Sequence, residues 1–179
     1  MSLAHDLALT PHPATPCDVV RAIEVQVRRG ADGTLSLQYT LEGDVSRLRL
    51  PPPRPARRAD RLWQHTCFEA FIAKVPGSAY IELNFSPSGE WAGYAFDAYR
   101  SGMAVAEDIE APKIGVTRGD GSLSVQVSVS LACLRGGAAA RIALAAVVES
   151  SSGSLSYWAI EHPTGKPDFH HARGFALQV

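Results

Sequence analysis

At 179 residues the chain suits one ordinary domain, long enough to bury a core without a disulfide or a metal. An apolar fraction of 46% with a charged fraction of 20% excludes a disordered chain. Seventeen Lys and Arg against eighteen Asp and Glu leave a net charge of -1, so there is no basic footprint for nucleic acid or an anionic membrane.

The segment Met1 to Pro13 lacks the basic start and long apolar run of a secretory signal. The longest apolar run, Ile142 to Val148, is far too short to span a bilayer. Cys17, Cys67 and Cys133 are scattered and form no CxxC pair, which points to free thiols in a reducing cytoplasm. We therefore expect a cytoplasmic protein with one domain over residues 15–179 and an N-terminal extension over residues 1–14.

From there the dominant signal is alternation with period two, broken by Gly, Pro, Asp and Ser. Ile23 to Arg29 and Leu35 to Leu41 flank Gly30-Ala31-Asp32-Gly33 as a hairpin, and Leu48 to Leu50 reads as a short strand. The proline-rich stretch Pro51 to Arg58 cannot donate to a ladder and is expected as a surface loop. Thr66 to Lys74, Ala79 to Ser86 and Glu90 to Tyr99 form three successive strands, joined through Pro76-Gly77 and Pro87-Ser88-Gly89. Ile114 to Thr117 and Leu123 to Ser130 make another hairpin, and Leu131 to Leu134 is a single helical turn. Arg141 to Glu149, Leu155 to Glu161 and an edge strand at Phe175 to Val179 complete about ten strands, the spacing of an all-β sandwich or barrel.

Alternation places Glu69, Glu82 and Asn84 on one face of the three central strands, and we group Trp91 and Asp97 with them. Carboxylates and an amide beside aromatic rings suit sugar hydroxyls and the flat C–H faces of sugar rings. An ordinary face of an antiparallel sheet turned to water has the same pattern. The stretch Trp158 to His171 is the densest polar and aromatic run. His170 and His171 are adjacent and point opposite ways on extended backbone, so a loop shaped by its histidines, or facing a ligand, fits better than a metal site. Trp63, in Arg61-Leu62-Trp63-Gln64-His65, reads as a core plug or a stacking platform.

Catalytic signatures are absent from the sequence. Gly165-Lys166 is no phosphate loop, because Ile160 stands where the first glycine belongs and Pro167 follows the lysine. There is no GxSxG, HExxH or dinucleotide fingerprint. Glu69 with Glu82 offers a carboxyl pair of the kind glycosidases use, as many acidic all-β chains would.

The ordered series from Leu62 to Ile72, then Tyr80 to Gly89, then Trp91 to Tyr99 resembles the DOMON-like domains, relatives of the family 9 carbohydrate-binding modules. The ending, Tyr157-Trp158 with Lys166 to His171, is similar to a bacterial branch of that group. The resemblance covers residues 20–179 and implies an antiparallel β-sandwich of about ten strands, jelly-roll-like, that binds a ligand and catalyses nothing. It implies a carbohydrate or polyol-like ligand and, second, haem held by a Met and a His, for which Met103 with His65 or His170 are the candidates. Taken with the faces above, the expected ligand-binding residues are Trp63, Glu69, Glu82, Asn84, Trp91, Asp97 and Arg100, with His162, Lys166, Asp168 and His170 closing one side. No cofactor, metal, nucleic acid or membrane is expected, and the partner is a small molecule.

Overall fold

The computed structural model describes residues 3–179. Twelve strands occur among them: β1 Leu3–Pro11, β2 Val20–Arg29, β3 Thr34–Gly43, β4 Cys67–Lys74, β5 Tyr80–Phe85, β6 Trp91–Phe96, β7 Ala104–Val105, β8 Lys113–Arg118, β9 Ser122–Ser130, β10 Ala140–Glu149, β11 Leu155–Ala159 and β12 Leu177–Gln178. They hydrogen-bond in the order β7-β6-β5-β4-β10-β11-β1-β2-β3-β9-β8, with β12 paired to β10. Every ladder is antiparallel, and the sheet is continuous and curled.

The join is made by β1. Its residues Leu3 to Leu9 pair with β2, and Thr10 and Pro11 pair with Ala159 and Trp158 of β11. Over its described part, the segment expected as an extension, residues 1–14, is mostly strand, and Met1 and Ser2 lie outside the described residues. The weak alternation of His5, Leu7 and Leu9 was its sequence signal. Leu48 to Leu50, expected as a strand, makes only a single bridge from Leu48 to Ser150. Leu131 to Leu134 enters a 3-10 turn at Ala132–Gly137.

Curling brings the two halves of the sheet face to face. Val25, Leu37, Tyr39 and Val125 from one half pack with Phe68, Leu83, Phe85 and Leu144 from the other in one buried cluster. The Tyr39 and Phe68 ring centres lie 5.0 Å apart, and the Tyr39 hydroxyl donates to the Glu69 carbonyl at 2.9 Å. Burying each such side chain contributes about 1.5–3 kcal/mol.

The two halves differ on their outer faces. β2, β3 and β9 alternate buried apolar with more exposed polar residues, so one side meets water. β4 and β10 are buried along nearly their whole length on both sides. Their second cover is the segment from Ile160 to Ala176, whose Phe175 and His170 rings pack on Phe71 and Tyr80 in a smaller cluster. The open, solvated face weighed for the central strands is thus replaced by an enclosed one, and the candidate site lies inside this second layer.

Candidate functional site

Register decides which side chains meet. Glu69 pairs with Asn84, and Phe71 pairs with Glu82. Glu82 in turn pairs with Tyr94, Asn84 with Ala92, and Tyr80 with Phe96. Directly opposed residues share a face, so Glu69, Glu82, Asn84, Tyr94 and Phe96 all point away from the main core. From β10 and β11 the same face receives Val147 and Tyr157, paired with each other, with Val147 also paired to Cys67.

A cavity of about 370 Å³ opens on this face, lined by Trp63, Glu69, Glu82, Phe96, Arg100, Met103, Val147, Tyr157, Pro167, Phe169 and His170. Its size and mixed lining fall within the range of small-molecule sites. The covering segment closes it from above, where Phe169 packs on Tyr157 with ring centres 5.9 Å apart. A slightly larger depression of about 460 Å³ lies on the water-facing side of β2, β3, β8 and β9, and no buried charged group lines it.

The two glutamates differ from the other buried acids of the protein. Glu90 is met by Arg57 at 2.8 Å and by the Ser88 hydroxyl at 3.1 Å. Glu149 is met by Arg49 at 2.9 Å and by His65 at 2.7 Å. Burial alone would raise both carboxyls, yet these partners hold each below the ordinary carboxylate value. Glu69 and Glu82 go the other way. Burial drives the Glu69 carboxyl well above its usual value, and the neighbouring Glu82 charge pushes in the same direction. Burial also raises Glu82, against the Asn84 hydrogen bond and the Arg100 charge. Glu69 is 3% exposed, and its Oε1 has no hydrogen-bond partner among the described residues.

Asn84 donates from Nδ2 to Glu82 Oε1 at 2.7 Å, while its Oδ1 accepts from the Cys67 thiol at 3.7 Å. It is fully buried, and it orients Glu82 from behind. On the other side stands His170. The Tyr80 hydroxyl accepts from the Arg100 backbone N–H at 3.2 Å, which directs its own proton to His170 Nδ1 at 2.8 Å. The neutral ring then carries its proton on Nε2, which lies 3.6 Å from Glu82 Oε2, beyond hydrogen-bond reach.

Burial, followed by the Arg100 charge, lowers His170 from 6.5 to about 4. His170 is therefore expected to stay neutral near pH 7, with its ring resonances titrating at about 4 in an NMR experiment. A midpoint near 6.5 would contradict this burial argument. Arg100 itself takes a left-handed backbone, φ 51°, and its guanidinium is held by Asp168 at 2.8 Å. Such a conformation at a non-glycine residue persists only where its surroundings hold it, and it recurs at ligand sites.

Of the residues expected from sequence, Trp63, Glu69, Glu82, Arg100 and His170 line the cavity, while Asn84 and Asp168 support it. Trp91 does not: it pairs with Phe85, lies in the main core, and carries the Arg58 guanidinium 4.3 Å over its ring. Asp97 follows Phe96 on the opposite side and is exposed. His162 sits apart, bound to the Thr10 carbonyl at 2.8 Å and edge-on to His12. Lys166 lies in a separate surface depression beside Pro163 and Arg173. Met103, expected only as a haem ligand, lines the cavity too, and Phe96, Val147, Tyr157, Pro167 and Phe169 line it without having been expected there. For Phe96, Val147 and Tyr157 the strand alternation held the signal, once register was known. Among the described residues, no three His, Cys, Asp or Glu side chains gather as a metal site would require.

The fold is shared with a solved structure. The chain is similar to a "putative carbohydrate-binding protein" from Bacteroides uniformis, with a TM-score of 0.66 and 13% sequence identity, over 96% of this chain and 83% of that one. At that identity the likeness concerns the fold alone. No family model matches the chain. No curated protein matches it either.

Proposed function

We propose that this protein is a non-catalytic binding domain whose cavity takes a small carbohydrate or polyol-like ligand. The observation that carries the reading is a cavity of about 370 Å³ in which two buried glutamates lie among the rings of Trp63, Phe96, Tyr157 and Phe169. Hydroxyls of such a ligand would donate to the carboxyls while its C–H faces pack on the rings. The carbohydrate-binding description of the similar structure supports the same class, as does the resemblance to DOMON-like domains and family 9 modules. On this reading the curled sheet is the sandwich frame of those modules, joined along β1.

Two alternatives fit the residues less well. Hydrolysis by a carboxyl pair works when the two environments push the acid and the base apart in pKa. Here burial raises both carboxyls, Glu69 the further through the Glu82 charge, and among the described residues no arginine or lysine contacts either to hold one ionised as nucleophile or base. Haem, which the resemblance also implies, needs an axial histidine with a free nitrogen. Met103 and His170 do line the same cavity. However, Nδ1 of His170 is taken by Tyr80, and Nε2 has the Glu82 carboxyl only 3.6 Å away, too close to admit a haem iron between them. His65 is bound to Glu149 and is not among the cavity residues. These side chains do not fit an iron ligand pair.

A panel of monosaccharides and short oligosaccharides, followed by calorimetry and thermal shift, tests the reading. At least one sugar is expected to bind saturably. Glu82→Ala is expected to weaken it about ten-fold, which is about 1.4 kcal/mol. A panel without binding, or a response that Glu82→Ala leaves unchanged, would sink the proposal.

A further inference from the structure

The protein neutralises its other buried acids and leaves this pair with no described arginine or lysine in contact, Arg100 acting on Glu82 only from a distance. Glu90 and Glu149 each have an arginine partner. Glu69 has none among the described residues, its Oε1 is buried and unpartnered, and the residue is part of the cavity lining. Glu82 has one amide donor and a neutral imidazole. Arg100 is the cation of the lining, and its guanidinium is occupied by Asp168 at 2.8 Å, with the Tyr99 hydroxyl donating to the same carboxylate at 2.5 Å.

The remaining titratable groups around the pair supply no positive charge. Burial raises Cys67 and Tyr39 well above their usual values, so both stay protonated and neutral. Tyr94 is raised likewise, by burial first and then by its hydrogen bond to Asp60. Tyr80 is raised by burial as well. The same cavity is also lined by the rings of Trp63, Phe96, Tyr157 and Phe169.

A neutral hydroxyl could satisfy an oxygen lone pair, but it brings no charge to offset ionisation of the pair, which then keeps the proton that burial retains on it. An ammonium group brings three donors and a full positive charge, and aromatic faces attract it further. We infer that the ligand carries a protonated amine among its hydroxyls, seated at Glu69 and Glu82 among the aromatic rings of the cavity: an amino sugar in place of a neutral one. This inference rests on the carbohydrate reading above and narrows it.

Binding an ammonium also favours the ionised carboxyls, so the proton that burial retains on the pair leaves as the ligand enters. The test is calorimetry near neutral pH with glucosamine, galactosamine and mannosamine, against their neutral parents and N-acetyl derivatives. Measurements in buffers of different ionisation enthalpy count the protons released. At least one amino sugar is expected to bind about ten-fold or more tightly than its parent, with proton release that the parent lacks. Glu69→Gln keeps the shape and cannot ionise, so it is expected to lose about ten-fold of that affinity and the proton release. Glu82→Gln serves as the second variant, and circular dichroism establishes that each is folded.

Neutral sugars binding as tightly as amino sugars, or an amine preference untouched in both variants, would overturn this inference and leave the carbohydrate reading standing. Binding of ethanolamine with no sugar bound would overturn the carbohydrate reading and this inference with it. No response to any member of the panel would overturn both.

Discussion

Phe68→Ala is expected to destabilise the fold by about 3–5 kcal/mol, with the denaturant midpoint falling and the m-value unchanged. Phe68 is fully buried, pairs with Phe85 and Ala146 on either side, and meets Tyr39 from the other half of the sheet. Removing its ring opens a cavity at the crossing point, where close-packed strands relax only in part. Small domains hold a net stability of about 5–15 kcal/mol, so this one change would take a large share. The loss should also reach the site, because Glu69 follows Phe68 and its carbonyl is tied to the Tyr39 hydroxyl. A cost below about 1 kcal/mol would mean that the two halves do not depend on this contact.

Much of this core was legible beforehand. Leu35, Leu37, Tyr39 and Leu41 sit at alternating positions, as do Leu123, Val125, Val127 and Val129, and the structure pairs the two strands residue for residue. A half-wet antiparallel sheet writes its inward face into the sequence in this way. β4 and β10 carry no such record, since they are buried on both sides and read as continuous apolar runs. β1 was missed because Pro11 and Pro13 end it early, and its partners β2 and β11 lie far apart in sequence.

The site was legible where one strand sufficed and lost where register was needed. Glu82 and Asn84 share a face of β5 whatever lies beside them, while Glu69 joins them through its pairing with Asn84. For β6 the choice between Trp91 and Tyr94 depends on one residue of register, which exchanges every side chain between core and outer face. The turn makes that choice: Gly89 N–H donates to the Ser86 carbonyl, and Ser86 N–H donates to the Glu90 carbonyl, so Phe85 falls opposite Trp91. Gly89 lies at φ +95°, where an added Cβ would also meet the Arg54 carbonyl at 3.2 Å. Nor could local pattern place His170 in the cavity and His162 outside it. Their positions are set by packing on Phe71, Tyr80 and Phe96 in one case and on His12 in the other.

Glu69→Gln is expected to make the free protein more stable, by about 1–3 kcal/mol at mildly alkaline pH, through relief of a buried and unpaired carboxyl. The sign follows from proton linkage. Burial lifts Glu69 well above 4.5, so over that interval the folded chain keeps a proton that the unfolded chain has lost. Stability then falls as pH rises through the interval, and the raised Glu82 adds a slope of the same sign. His170 acts oppositely between about 4 and 6.5, where the unfolded chain holds the extra proton and stability climbs with pH. Above 6.5 that histidine is neutral in both states. Towards 9.0 the buried Cys67 begins to contribute, because its unfolded thiol then ionises. His170 and Cys67 are common to wild type and variant and cancel in the difference between them. That difference is expected to grow in favour of Glu69→Gln as pH rises above 4.5 through the interval over which Glu69 is raised. Parallel curves would show that Glu69 ionises as readily when folded as unfolded, and the cavity would then hold no carboxyl in need of a partner.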